Sequence, residues 1–112
     1  MEHEVSARDG VTVLALHGPI DVGQALALRD LLAEHLAAAG DRVLLDLSGV
    51  RLIDSSGIGA LVTAHRRADG LGARFGLAGA TGTVARVFAI TRTHKLLSLY
   101  DSVDEGVAAW TA

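Results

Sequence analysis

The sequence predicts an α/β fold: a mixed sheet of four to five strands with about four packed helices. Three observations carry this. Short β-branched and apolar runs alternate with segments whose apolar residues recur at helical spacing. Gly and Asp clusters punctuate the boundaries between them. Two strand-like runs open the chain, paired across the Asp9-Gly10 turn signal of a hairpin, whereas the later strands are separated by helices. A hairpin followed by helical crossovers makes the sheet mixed, with parallel inner strands.

Each element has its own justification. Val11 to Leu16 is β-branched and apolar and is closed by Gly18-Pro19, so it reads as a strand, with a weaker one before it at Glu4 to Ala7. From about Gln24 to Ala39, Leu28, Leu31, Leu32, Leu36 and Ala39 fall at helical spacing, and Gly40 marks the end. Asp21, with Gln24 three residues on, fits the N-cap of this helix. Val43 to Leu47 is a nearly continuous apolar run, as expected of a strand buried on both faces. A second helix is expected from about Ser56 to Asp69, with Ile58, Leu61, Val62, His65 and Ala68 on one side and Gly70 and Gly72 ending it. Phe75 to Ala78 reads as a strand, and Val84, Val87 and Phe88 give a short helix after Thr83. Ser102 and Glu105 form a capping-box pattern that opens a last helix, with Val103, Val107 and Trp110 on its apolar side.

The 112 residues fit one domain spanning 1–112. Only 4% of residues are aromatic, so few platforms exist for stacking bases or sugars. A net charge of −3 offers no general attraction to nucleic-acid backbones or anionic lipid. Zero Cys excludes disulfides and thiolate metal sites and fits a reducing compartment. Met1-Glu2-His3-Glu4 is acidic where a signal peptide is basic, and the longest stretches free of Asp, Glu, Lys and Arg are eleven residues. A membrane helix needs roughly 20 apolar residues. The expectation is a cytoplasmic protein without membrane insertion or direct contact to nucleic acid.

The informative segment runs from Asp46 to Leu61, joining a buried strand to a helix through a loop that ends in Ser55-Ser56. Both serines fall near a helix N-terminus, where free N–H groups and the helix dipole favour negative charge. By local pattern alone, either serine caps the helix. Gly57 and Gly59 remove side chains from the first turn and would let another protein's backbone approach.

Asp54-Ser55-Ser56-Gly57-Ile58-Gly59 resembles the phosphorylation motif of anti-sigma factor antagonists in the STAS family, whose second serine accepts phosphate. The strand Leu44 to Leu47, the upstream Gly18-Pro19-Ile20-Asp21 and the tail Leu96 to Asp101 fall where that family places similar pieces, so the resemblance covers roughly Val5 to Trp110. It implies a single STAS domain with no catalysis of its own and no cofactor. Its partners would be an anti-sigma factor with serine kinase activity and a phosphatase. By position, Ser56 is then the phosphoacceptor, and Asp21, Asp54, Ser55, Gly57, Ile58 and Gly59 belong to the partner-binding surface. The same resemblance also extends to STAS scaffolds of stress-signalling complexes and accessory subunits of lipid transporters, which bind without this switch. Thr91-Arg92-Thr93-His94-Lys95 departs from the Thr-Gly-Leu that many relatives carry before the last strand.

Enzymatic readings lack their parts. The serines are not in a Gly-x-Ser-x-Gly context, and nine residues put His65 roughly 13 Å along the helix from Ser56. Gly57-x-Gly59 lacks the third glycine of a dinucleotide loop because position 62 is Val, and no Gly-Lys-Ser/Thr occurs. No EF-hand loop or His-x-x-x-His pair is present to suggest a metal.

Overall fold

In the computed structural model, residues 1–111 are described. Strands β1 (His3–Arg8) and β2 (Val11–His17) pair antiparallel. Asp9 and Gly10 join them with φ of 52° and 80°, the positive values that a two-residue type I′ hairpin turn requires. The chain then alternates through α1 (Val22–His35), β3 (Arg42–Gly49), α2 (Ser55–Leu71), β4 (Arg74–Ala78), α3 (Gly82–Ile90), a 3-10 turn at Thr93–Lys95, β5 (Leu99–Tyr100) and α4 (Val103–Thr111). The sheet order is β1-β2-β3-β4-β5, with every pair after the hairpin parallel. This is the expected mixed α/β sheet, with five strands and four α-helices among the described residues.

Strand alternation sorts the core into two layers. Leu14, Leu16, Val43, Leu45, Leu47, Phe75 and Leu77 pack with residues of α1, α2 and α3, including Leu28, Leu32, Leu61, Val84 and Phe88. Val11, Val13, Leu44 and Ala78 point the other way and pack under Val107 and Trp110 of α4. The central strand β3 is therefore buried on both faces, as its unbroken apolar run implies. Trp110 Nε1–H donates to Tyr100 Oη at 2.9 Å, which supplies the polar partner that a buried indole needs.

Two helix ends, one helix start and one cap differ from the sequence reading, with α3 beginning at Gly82 and not after Thr83. Helix α1 stops at His35, not near Ala39, because the Asp41 carboxylate accepts hydrogen bonds from the Ala37 and Ala38 N–H groups at 3.0 and 2.9 Å and draws them out of the helical ladder. Helix α2 continues through Gly70 and ends at Gly72, whose φ of 72° is the left-handed cap conformation. Ahead of α4, Ser102 Oγ accepts from Glu105 N–H, but the Glu105 carboxylate reaches back to Asp101 N–H, one residue earlier than in a standard capping box. The departing segment Thr91 to Lys95 ends α3 through Arg92, which holds φ at 60° before the 3-10 turn.

The two backbone bonds hold the Asp41 carboxyl below its ordinary value, Ala38 contributing most. A carboxyl depressed on folding stabilises the fold above its unfolded value, and that stability is lost as pH falls through the folded one. Asp41→Asn is thus expected to lower the melting temperature at neutral pH, with the gap to wild type closing below about pH 4. Thermal unfolding across pH checks this; a gap unchanged in acid contradicts it.

Candidate functional site

Parallel neighbours β2 and β3 deliver their C-terminal loops to the same edge of the sheet. The two loops are joined by backbone hydrogen bonds: Gly18 N–H to Gly49 O (3.3 Å), Ile20 N–H to Leu52 O (2.9 Å) and Asp54 N–H to Ile20 O (3.1 Å). Ile20 and Ile53 form a parallel bridge there, and both side chains are buried. The starts of α1 and α2 are therefore fixed side by side.

Asp54 ties them together. Its Oδ1 accepts from Gly57 N–H at 3.0 Å within α2, and its Oδ2 accepts from Val22 N–H at 3.2 Å at the start of α1. It is the N-cap of α2, so neither Ser55 nor Ser56 caps the helix. The carboxylate wins this competition because it is charged and can serve both helices at once. Asp21 does cap α1, as expected, with Oδ1 accepting from Gly23 N–H at 3.0 Å.

Ser55 and Ser56 become the first two residues of α2, with Ser55 exposed and Ser56 half-buried. They line an open groove of about 300 Å³ with Val22, Ala25, Leu26, Arg29 and Gly59. Two expected surface residues turn inward instead. Gly57 is buried, and a Cβ there would lie 2.7 Å from Ile20 O and 2.8 Å from Ile53 Cγ1. Its missing side chain makes room for Ile20 and Ile53 of this chain. Ile58 is buried too, at 7% exposure, and supports the surface from beneath. The exposed apolar side chains lining the groove with Ser56 are Val22 and Leu26, which are 76% and 71% exposed. Sequence reasoning missed them, although Val22 and Leu26 stand one helical turn apart and off the Leu28-Leu32-Leu36 stripe.

The groove sets two serine hydroxyls and the Arg29 guanidinium beside exposed Val22 and Leu26. Among the described residues, His17 pairs with Glu4 and His65 with Asp69, and no three His, Cys, Asp or Glu side chains gather to hold a metal ion. No helix there is long and apolar enough to cross a membrane.

Removing Asp54 should cost more than a single cap. Asp54→Ala loses the acceptor for two helices and is expected to destabilise by about 2 kcal/mol, one cap plus one further hydrogen bond. Asp54→Asn keeps one accepting oxygen and should lose about half of that. Urea unfolding separates the two; an Asp54→Asn variant as stable as wild type, beside an Asp54→Ala variant that loses only a single cap, would show that the Val22 bond contributes nothing.

Comparison with known proteins gives a consistent result. The STAS domain profile matches residues 2–106. A Thermotoga neapolitana protein described as a candidate anti-sigma factor antagonist is 31% identical over 74 residues, which span 66% of this chain and 66% of that relative. The structure of an anti-sigma factor antagonist from Mycobacterium paratuberculosis superposes with a TM-score of 0.85 at 28% identity, covering 96% of this chain and 92% of that one. The Bacillus cell fate determinant SpoIIAA in its phosphorylated form shares the fold, with a TM-score of 0.69 at 16% identity over 96% and 98% of the two chains. With the profile matched across most of its length, this chain belongs to the STAS domain family.

Proposed function

We propose that this protein is an anti-sigma factor antagonist: it binds an anti-sigma factor with serine kinase activity, and phosphate on Ser56 switches that binding off. The carrying observation is the setting of Ser56. Asp54 relieves it of capping, and it stands half-buried in a groove bordered by exposed Val22 and Leu26. A serine free of structural duty beside exposed apolar surface suits both a docking partner and a modifying enzyme. The relatives support the reading by their names, and SpoIIAA by existing in a phosphorylated form.

The phosphoryl step belongs to the partner. Ser56 Oγ forms a bond to the γ-phosphorus of ATP, ADP leaves, and the hydroxyl proton passes to a base on the kinase. A phosphatase removes the group by delivering water to the same phosphorus, which breaks the Oγ–P bond, returns a proton to Ser56 Oγ and releases inorganic phosphate. Both steps take place in the cytoplasm, and this chain contributes the acceptor and the surface without catalysing either. Of the acidic residues, Asp21 keeps one carboxylate oxygen free of backbone hydrogen bonds and is better placed to meet a partner than Asp54, whose oxygens both accept from backbone N–H groups.

The test is mass spectrometry with site mapping after incubation with ATP and the anti-sigma kinase co-purified from the native cell. Phosphate is expected on Ser56, retained in Ser55→Ala and absent from Ser56→Ala. Phosphate confined to another residue, or none at all, overturns the reading in favour of a STAS scaffold that binds without a switch.

A further inference from the structure

We propose that Arg29 is the intramolecular counterion of phosphorylated Ser56, holding the phosphoryl group in the groove between α1 and α2. This rests on the reading of Ser56 as phosphoacceptor. Arg29 and Ser56 line the same groove from opposite helices, and Arg29 is the one cationic side chain that lines it. The guanidinium reaches across to α2: a methyl group placed on Gly59 would lie 3.6 Å from Arg29 Nη2. Gly59 follows Ser56 by three residues, so their side-chain positions are neighbours on one helical face, about 5–6 Å apart. A phosphoserine extends its three oxygens beyond Oγ, within reach of a small rotation of the arginine stem.

Arg29 is also uncommitted. Among the described residues Arg8 pairs with Asp104, His17 lies against Glu4 and His65 against Asp69, and Arg67 spends its Nε–H on Leu36 O. The other charged groups at the head of the two helices are Asp21 and Asp54, which accept backbone hydrogen bonds and oppose a phosphate. Only Arg29 attracts one there, and its planar fork can bind two phosphate oxygens together. The contact forms in the free protein, so a partner filling the groove has to break it.

The experiment installs phosphoserine at position 56 during translation, so that no kinase is needed, and follows the phosphate through its second ionisation, near pH 6, by phosphorus NMR. A nearby cation favours the dianion, so the midpoint should rise by about half a pH unit in Arg29→Gln, the size expected of an exposed ion pair. Arg29→Lys should fall between the two, and Arg66→Gln, exposed on α2 outside the groove, should leave the midpoint in place. Equal midpoints for wild type and Arg29→Gln overturn the proposal, as does an equal rise in Arg66→Gln. Failure of the kinase to modify Ser56 would instead remove the functional reading, leaving this titration to stand or fall alone.

Discussion

Gly57→Ala is expected to destabilise the fold by about 2 kcal/mol, although alanine is the better helix former. In an open helical position the exchange gains up to about 1 kcal/mol. At Gly57 the new Cβ would lie 2.7 Å from both Ile20 O and Ile20 Cγ2, and 2.8 Å from Ile53 Cγ1. Backbone cannot yield as a flexible side-chain tip does, and Ile20 O already accepts the Asp54 N–H at 3.1 Å. Relief therefore means moving the start of α2 and weakening the bonds that join the two loops. Overpacking of this kind costs about 1–3 kcal/mol, and each weakened hydrogen bond adds up to about 1 kcal/mol, which together exceed the helical gain. Gly70→Ala in the same helix is the control, because no atom beyond its own turn of helix lies within 4 Å of its would-be Cβ and it should stabilise. Urea unfolding of both variants gives the comparison. Opposite signs support the close approach at Gly57, whereas stabilisation by both would show that the first turn of α2 is free to move.

The alternation of strands and helices was legible because it depends on local periodicity and on glycine punctuation. β3 announces its two-sided burial through Val43, Leu44, Leu45 and Leu47 alone. What escaped depends on contacts distant in sequence. Asp54, Ser55 and Ser56 are all good caps, and the choice among them is settled partly by Val22 N–H, 32 residues away, which only the loop pairing brings close. The inward turn of Gly57 and Ile58 follows from how α2 docks on Ile20 and Ile53, which the hexapeptide does not encode. The apolar spacing predicts this helix only from about Gln24, which leaves Val22 outside it, and Leu26 stands apart only once the buried stripe is known to be Leu28, Leu32 and Leu36. Arg29 carried no signal, since its meaning lies in the groove shared with the other helix.

Phosphate on Ser56 is expected to weaken partner binding roughly a hundredfold while leaving the fold intact, a differential of about 2.7 kcal/mol. The modification adds about −1.5 to −2 charge at neutral pH. In the free protein that charge stays in water, in the first turn of α2, where the helix dipole favours it by up to about 1 kcal/mol. A partner that covers Val22 and Leu26 must seal the same groove, strip water from the phosphate and bring it against its own surface. Desolvating an ion costs several kcal/mol unless it is fully paired, so the penalty falls on the bound state and not on the fold. Ser56→Ala should therefore bind the anti-sigma factor equally well with and without ATP, and Ser56→Asp, with one charge in place of nearly two, should show part of the loss. Calorimetric titration of the partner with phosphorylated and unmodified protein measures the difference directly, and thermal unfolding of the two forms checks that the fold is retained. Equal affinities would remove the switch, whereas a large fall in melting temperature would mean that phosphate acts by loosening α2 instead of by guarding the surface around Val22 and Leu26.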